Sequence, residues 1–308
     1  MSRESGRWRQ PADPETMKAV SNLQLKVRKV VEGLQGGAHP SRHYGASVEF
    51  AEHKRYSPGD DIRHIDWRAL ARTDRYFVKQ HQREVILSCL LVLDCSASMG
   101  YRGARGRSDK LGYAVEILST IAYLLVRQGD AAGMLTFASK PMMFIPPGRR
   151  PDQLSAMMRH FAVVETDKGG TTAFVEAIRE VVSHECQRGM IVLASDLWGA
   201  DRKTELALGR LAARGHDVVV FHVLDPDETD LPFPAPLTLE GMEGEPRIDV
   251  DPVLIREDYR QAVAEVVEHW RRFSGESGID FVSAPTNTPP ATVLSEFASR
   301  RQGVGRRR

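Results

Sequence analysis

Cysteine is scarce in this chain. Only Cys89, Cys95 and Cys186 occur in 308 residues, and their spacings match neither a zinc site nor a disulfide framework. Cys89 lies inside an apolar run, where a free thiol behaves as a small hydrophobe. A reducing cytoplasm is therefore the expected compartment. Long hydrophobic runs are lacking too: no stretch approaches the roughly 18–20 apolar residues that a membrane span needs. The N-terminal Met1-Ser2-Arg3-Glu4 opens no signal peptide, so a soluble protein is expected. Net charge is close to nil, at +1, which gives the molecule as a whole no electrostatic reason to bind nucleic acid or an anionic membrane.

What the chain does have is an apolar run, Val85 to Leu93, that ends in Asp94-Cys95-Ser96-Ala97-Ser98. That string puts one carboxylate and two hydroxyls at the mouth of a sheet. All are hard oxygen donors, the kind that Mg²⁺ or Mn²⁺ takes while keeping waters or an open position. Two further pieces lie downstream: a Thr after a Gly pair (Gly169-Gly170-Thr171-Thr172), and Asp196 at the end of the apolar run Ile191–Ser195. The plainer reading makes Ser96 and Ser98 caps of the next turn, with Asp94 binding backbone amides. Around this point stand Tyr101, Arg102, Arg105 and Arg107, with Trp198 just beyond Asp196. Arg and aromatic side chains are enriched at interface hot spots. They are read here as a rim that grips an acidic partner surface, against the alternative of a solvated Arg loop and an inward-packed Trp.

Periodicity supplies the frame. Residues 1–16 are expected to be loose, and Val20, Leu23, Val27, Val30, Val31 and Leu34 mark an amphipathic helix over 17–34. Residues 17–84 are taken together as that helix plus a charged, aromatic segment. From 85 to 302, strands and helices alternate, which predicts an α/β domain: a mostly parallel sheet with helices on both faces. Met142–Ile145 reads as a short strand ended by Pro146-Pro147, and Met157 and Met158 as core filler. A long helix after Asp251-Pro252 is expected to carry Tyr259, Val263, Val266, Val267 and Trp270 on one face. Residues 226–252 interrupt the alternation as a Pro-rich link and a small β-hairpin insertion, and 303–308 form a basic tail. Ligands of such sheets bind at the carboxyl ends of strands, where Asp94 and Asp196 both fall.

The most distinctive local string precedes the first of these strands: Tyr56-Ser57-Pro58-Gly59-Asp60-Asp61-Ile62-Arg63-His64-Ile65-Asp66-Trp67. Pro58-Gly59 fits the centre of a tight turn. Asp60 or Asp61 can cap the residues after it, Arg63 and Asp66 can pair, and Trp67 can anchor the segment. A structural clasp is the simpler reading; a second polar site built from Asp60, Asp61 and His64 is the sharper one.

With Ala71-Arg72, Val78-Lys79 and the Asp94 string, this motif resembles the bacterial domain of unknown function 58 family. Its members are von Willebrand factor A-like (Rossmann-like) proteins commonly paired with MoxR-type AAA+ ATPases. The resemblance runs from about residue 37 to 225. It implies a metal-ion-dependent adhesion site in which Ser96, Ser98 and Thr171 approach the ion through hydroxyls, and Asp94 and Asp196 bind it directly or through water. Thr171 is preferred to Thr172 because the family pattern puts Thr directly after Gly. One departure is Leu197, where many A domains have Gly. The implied role is a non-catalytic adaptor or co-chaperone. Its Mg²⁺ or Mn²⁺ would take an acidic residue of a partner, a MoxR-type ATPase or one of its clients.

Two rival classes are weaker. A metal-dependent hydrolase finds little support: there is no Gly-x-Ser-x-Gly elbow and no Gly-Lys-Ser/Thr phosphate loop. Aspartyl-phosphate chemistry would need an Asp where Ser96 stands. Nucleic-acid binding rests on sixteen Lys and Arg against eleven Asp and Glu in residues 1–87, but the acids interleave with the bases.

Overall fold

The computed structural model describes residues 14–37, 53–55, 76–79, 87–167, 172–183 and 188–304. Two compact units divide the chain: residues 40–86, and residues 1–39 with 87–308. In the smaller unit, β1 (His53–Arg55) and β2 (Phe77–Lys79) pair antiparallel. The motif residues Tyr56, Pro58, Gly59, Asp60, Asp61, Arg63, Asp66 and Trp67 lie outside the described residues, as does Thr171.

The larger unit is built on six strands. In chain order these are β3 (Ser88–Asp94), β4 (Ala131–Phe137), β5 (Pro141–Gly148), β6 (Met190–Ser195), β7 (Asp217–Leu224) and, last, β10 (Asp280–Pro285). Their spatial order is β10-β7-β6-β3-β4-β5. All neighbours are parallel except β5, which runs antiparallel along β4. Cys89, Leu91 and Leu93 of β3 point into one core, with α1 (Pro14–Gly37), α2 (Lys110–Gln128), α3 (Gln153–Phe161) and α8 (Pro290–Val304). Leu90 and Val92 point into the other, with α4 (Phe174–Ser183), α5 (Arg202–Ala213) and α7 (Pro252–Glu276). A strand covered on both faces reads as an unbroken apolar run, and each such Leu contributes roughly 2 kcal/mol on burial.

Several elements differ from expectation. Helix α1 packs into the larger unit through Leu23, Val27, Val30 and Val31, and Lys26 pairs with Glu116 of α2 at 2.7 Å. Its apolar face thus goes with the sheet domain, in the unit that excludes residues 40–86. Strand β5 continues through Pro146 and Pro147 to Gly148. An edge strand tolerates the missing donors, and the register slips at Gly133, where a β-carbon would come within 2.5 Å of the Pro147 nitrogen. Gln153 repairs the slip by donating to the carbonyls of Ala132 and Pro146, each at 2.8 Å.

The link after β7 begins as a short helix, α6 (Pro226–Asp230), closed by an Asp225 capping box. Helix α7 buries Val263 and Trp270, but Val266 stays 39% exposed, so its apolar face is narrower than its composition suggests. Met157 and Met158 are core residues. The expected insertion is present as β8 (Leu237–Leu239) and β9 (Ile248–Val250), an antiparallel pair. Among the described residues, no helix is long and apolar enough to cross a membrane.

Candidate metal and partner-binding site

Strand β3 lies between β4 and β6, and its register with β6 sets Leu93 beside Ala194. The chain therefore leaves both strands on the same edge of the sheet, and Asp94 and Asp196 arrive there together, each essentially buried. After Asp94 the chain turns through a 3₁₀ segment, Ala97–Gly100. The turn is held by the Ser96 N–H donating to Asp94 Oδ1 at 2.9 Å. It brings the Ser96 and Ser98 hydroxyls within 3.1 Å of each other. The other Asp94 oxygen accepts from the Ser195 hydroxyl at 2.6 Å, and that hydroxyl in turn accepts from the Leu197 N–H at 2.9 Å. Asp94 is thus fully engaged, but by neutral donors. Burial, then the nearby Asp196 carboxylate, push it up to about 7.

Asp196 is balanced differently. Its Oδ2 accepts from Lys110 Nζ at 2.8 Å, and Lys110 also reaches Glu228 Oε1 at 2.6 Å. Lys110 is fully buried. Desolvation pulls its ammonium down, but Asp196 and Glu228 together carry it above the ordinary lysine range. The Asp196 main-chain carbonyl accepts from His222 Nε2 at 2.9 Å. Burial lowers that imidazole to about 4, so it stands neutral. The loop beyond Asp196 passes through Leu197 at φ +56°, a left-handed conformation that costs a non-glycine residue roughly 1–2 kcal/mol. The Leu197 side chain, 3% exposed in the second core, offsets that cost.

The rim residues have unequal standing. Arg102 is exposed, and Tyr101 and Trp198 are half-buried. The Trp198 main-chain N–H donates to Asp196 Oδ1 at 3.0 Å. The Tyr101 ring lies 5.9 Å from Lys110 Nζ. Arg105 is engaged within the chain: it bonds Asp227, the Pro226 carbonyl and, at 2.8 Å, Asp230. Gly103 and Gly106 permit this clasp, since a β-carbon on either would sit 2.3 Å from an Asp225 oxygen.

Three residues escaped the sequence reading, and a fourth was its alternative. Ser195 had a signal, a hydroxyl directly before Asp196 in an otherwise apolar strand. Lys110 had another: a base in the first turn of a helix opposes the helix dipole and asks for a carboxylate nearby. Thr172, 8% exposed, was set second to Thr171; its hydroxyl donates to Glu243 Oε1 at 3.0 Å. Glu243 itself comes from the turn between β8 and β9, read only as an insertion. Burial, then Asp196, raise its pKa, while hydrogen bonds from Thr172 and Ser98 oppose the rise.

The donor chemistry fits a hard divalent cation. Asp196 and Glu228 share the buried Lys110 ammonium, while Asp94 is met by neutral donors, and that negative surplus is what a cation would relieve. Among the described residues, no three His, Cys, Asp or Glu side chains converge as a metal site. An ion here must depend on the hydroxyls of Ser96 and Ser98 as well as on carboxylates.

The family model described as "Protein of unknown function DUF58" matches residues 52–269. The protein Rv1480 of Mycobacterium tuberculosis is 30% identical over 296 residues, covering 95% of this chain and 92% of its own length. YeaD of Bacillus subtilis is 23% identical over 147 residues, 47% of this chain and 33% of its own. Among solved structures, BatB from Bacteroides thetaiotaomicron aligns over 70% of this chain and 98% of its own, with 20% identity and a TM-score of 0.46. The von Willebrand factor A domain of SpRpn10 aligns over 68% and 94%, with 13% identity and a TM-score of 0.38.

Proposed function

The chain belongs to the DUF58 family, and from that premise we propose that it is a non-catalytic protein-binding module that presents Mg²⁺ or Mn²⁺ to an acidic residue of a partner. Its fold is von Willebrand factor A-like, with helices on both faces of a mostly parallel sheet. The observation that carries the proposal is the Ser96–Ser98 hydroxyl pair beside a buried Asp94 whose hydrogen bonds, among the described residues, come from neutral donors.

Asp94, Ser96, Ser98 and Thr171 or Thr172 would hold the ion, with Asp196 acting directly or through water. When bound, the ion supplies an electrophilic open position for a carboxylate oxygen. The surrounding residues orient and balance: Ser195 fixes the Asp94 carboxylate, and Lys110 holds Asp196 in place. Arg102 and Trp198 stand where an acidic partner surface would meet the rim, a placement suited to hot-spot side chains. A MoxR-type AAA+ ATPase, or a client that it remodels in the cytoplasm, is the partner that the family resemblance suggests.

The test immobilises wild type and Asp94→Ala, each with Mg²⁺ and with chelator, against a purified MoxR-type ATPase. Retention by wild type with Mg²⁺ alone is expected. Equal retention under all four conditions overturns the metal bridge.

A further inference from the structure

We propose that Glu243 is an internal carboxylate ligand: the β8–β9 hairpin inserts it into the chain's own cation site, where a partner's acid must displace it. This rests on the metal site proposed for Asp94, Ser96 and Ser98, and adds to it the residue that guards the open position.

The contacts are specific. Glu243 Oε1 accepts from the Thr172 hydroxyl at 3.0 Å, and the Ser98 side chain favours the ionised carboxylate. The second oxygen faces the loop after Asp196, lying 4.0 Å from where a β-carbon on Gly199 would stand. Thr172, Ser98, Asp196 and Glu245 are the groups that act on it most; all are hydroxyls or carboxylates. The influence of Asp196 on this carboxylate is unfavourable by itself and would be favourable with a cation between them. Partial burial strengthens both tendencies.

The hairpin is shaped to make this delivery. Its strands are tied by Thr238 to Asp249 at 2.6 Å and Arg247 to Glu240 at 2.9 Å. At the tip, Glu245 accepts from the Glu243 N–H at 3.0 Å, so the turn is closed by a neighbour and Glu243 keeps its own carboxylate for the site. Gly244, at φ +98°, supplies the reversal that a side-chain-bearing residue rarely adopts. Met242 rests beside the metal-site turn, its terminal carbon 3.7 Å from a β-carbon position on Gly100. A carboxylate on a short tether has a high effective concentration. Low-affinity acids are thereby excluded, and only a partner with added rim contacts competes.

The experiment uses the full chain and Mn²⁺ as probe. Wild type, Glu243→Gln and Asp94→Ala are titrated by the paramagnetic resonance of free Mn²⁺, and water-proton relaxation is read on the bound ion. Glu243→Gln should weaken Mn²⁺ binding about tenfold, since affinity follows ligand charge, and should raise relaxivity per bound ion by about one exchanging water. Acetate should lower that relaxivity in Glu243→Gln at concentrations that leave wild type unchanged. Melting without metal should be the same or higher for Glu243→Gln, which separates ligand loss from misfolding. If wild type binds Mn²⁺ in an Asp94-dependent way but Glu243→Gln matches it in affinity and relaxivity, the internal ligand is refuted and the site survives. If wild type binds no Mn²⁺, or Asp94→Ala binds it equally, the metal site fails and this proposal with it.

Discussion

Asp94→Asn should make the metal-free protein more stable at pH 8 while abolishing its response to Mg²⁺. The carboxyl is fully buried, takes hydrogen bonds from Ser96 and the Ser195 hydroxyl, and has Asp196 as a charged neighbour. Its ordinary pKa of 3.8 is raised to about 7. Between those values the folded protein holds a proton that the unfolded chain has released. Stability therefore falls as pH rises through this window and stays low above it. The difference corresponds to roughly 4 kcal/mol at pH 8. Asparagine removes the charge but leaves the Ser195 hydroxyl without its acceptor, a loss of about 1 kcal/mol. The net gain is about 3 kcal/mol, or roughly 6–12 °C in melting temperature. At pH 5 the native Asp94 carries its proton, and the two proteins should differ little. Guanidinium unfolding at pH 5 and pH 8, with chelator and with Mg²⁺, measures all of this. Mg²⁺ at a hundred times its Kd should stabilise wild type by about 2.7 kcal/mol and leave Asp94→Asn unmoved. An Asn variant no more stable than wild type at pH 8 in chelator, or a difference independent of pH, would refute the electrostatic argument.

Three further outcomes are expected from particular contacts. Lys110→Met strands Asp196 and Glu228 without their shared ammonium and should cost about 3–5 kcal/mol in denaturant unfolding; a loss below about 1 kcal/mol would mean that the pair is solvated. Leu197→Gly relieves a left-handed backbone worth about 1 kcal/mol but empties a buried Leu position worth about 2–5 kcal/mol. Destabilisation is expected by calorimetry, and a more stable glycine variant would show that backbone strain dominates. Arg102→Ala and Trp198→Ala should weaken retention of a purified MoxR-type ATPase about tenfold while leaving Mn²⁺ affinity unchanged; unaltered retention removes them from the interface.

Local pattern was informative wherever one residue and its strand contain all the information. Asp94 and Asp196 each come after an apolar run, and a run of that kind ends at the edge of a covered sheet. Ser96 and Ser98 were legible because the Asp-x-Ser-x-Ser spacing lies within one turn. The course of α1 and the burial of Met157 came from helical spacing in the same way. Pro146 and Pro147 misled, because an edge position is a property of the sheet and has no mark in the strand itself. Val266 is apolar and on phase with Val263 and Trp270, yet stays 39% exposed, because spacing gives a face and not how far that face is covered.

By itself, the sequence determined the strand-and-helix alternation, the two aspartates at strand ends and the hydroxyl pair between them, since each depends on neighbours within a few bonds of chain. Tertiary structure alone decided how those charges are balanced. Lys110 meets Asp196 across 86 positions, and Thr172 meets Glu243 across 71. Arg105 turns from the rim toward Asp227 across 122. Coulomb energy and desolvation act through space at a few ångströms, and no local spacing rule encodes which distant carboxylate folding will bring that close.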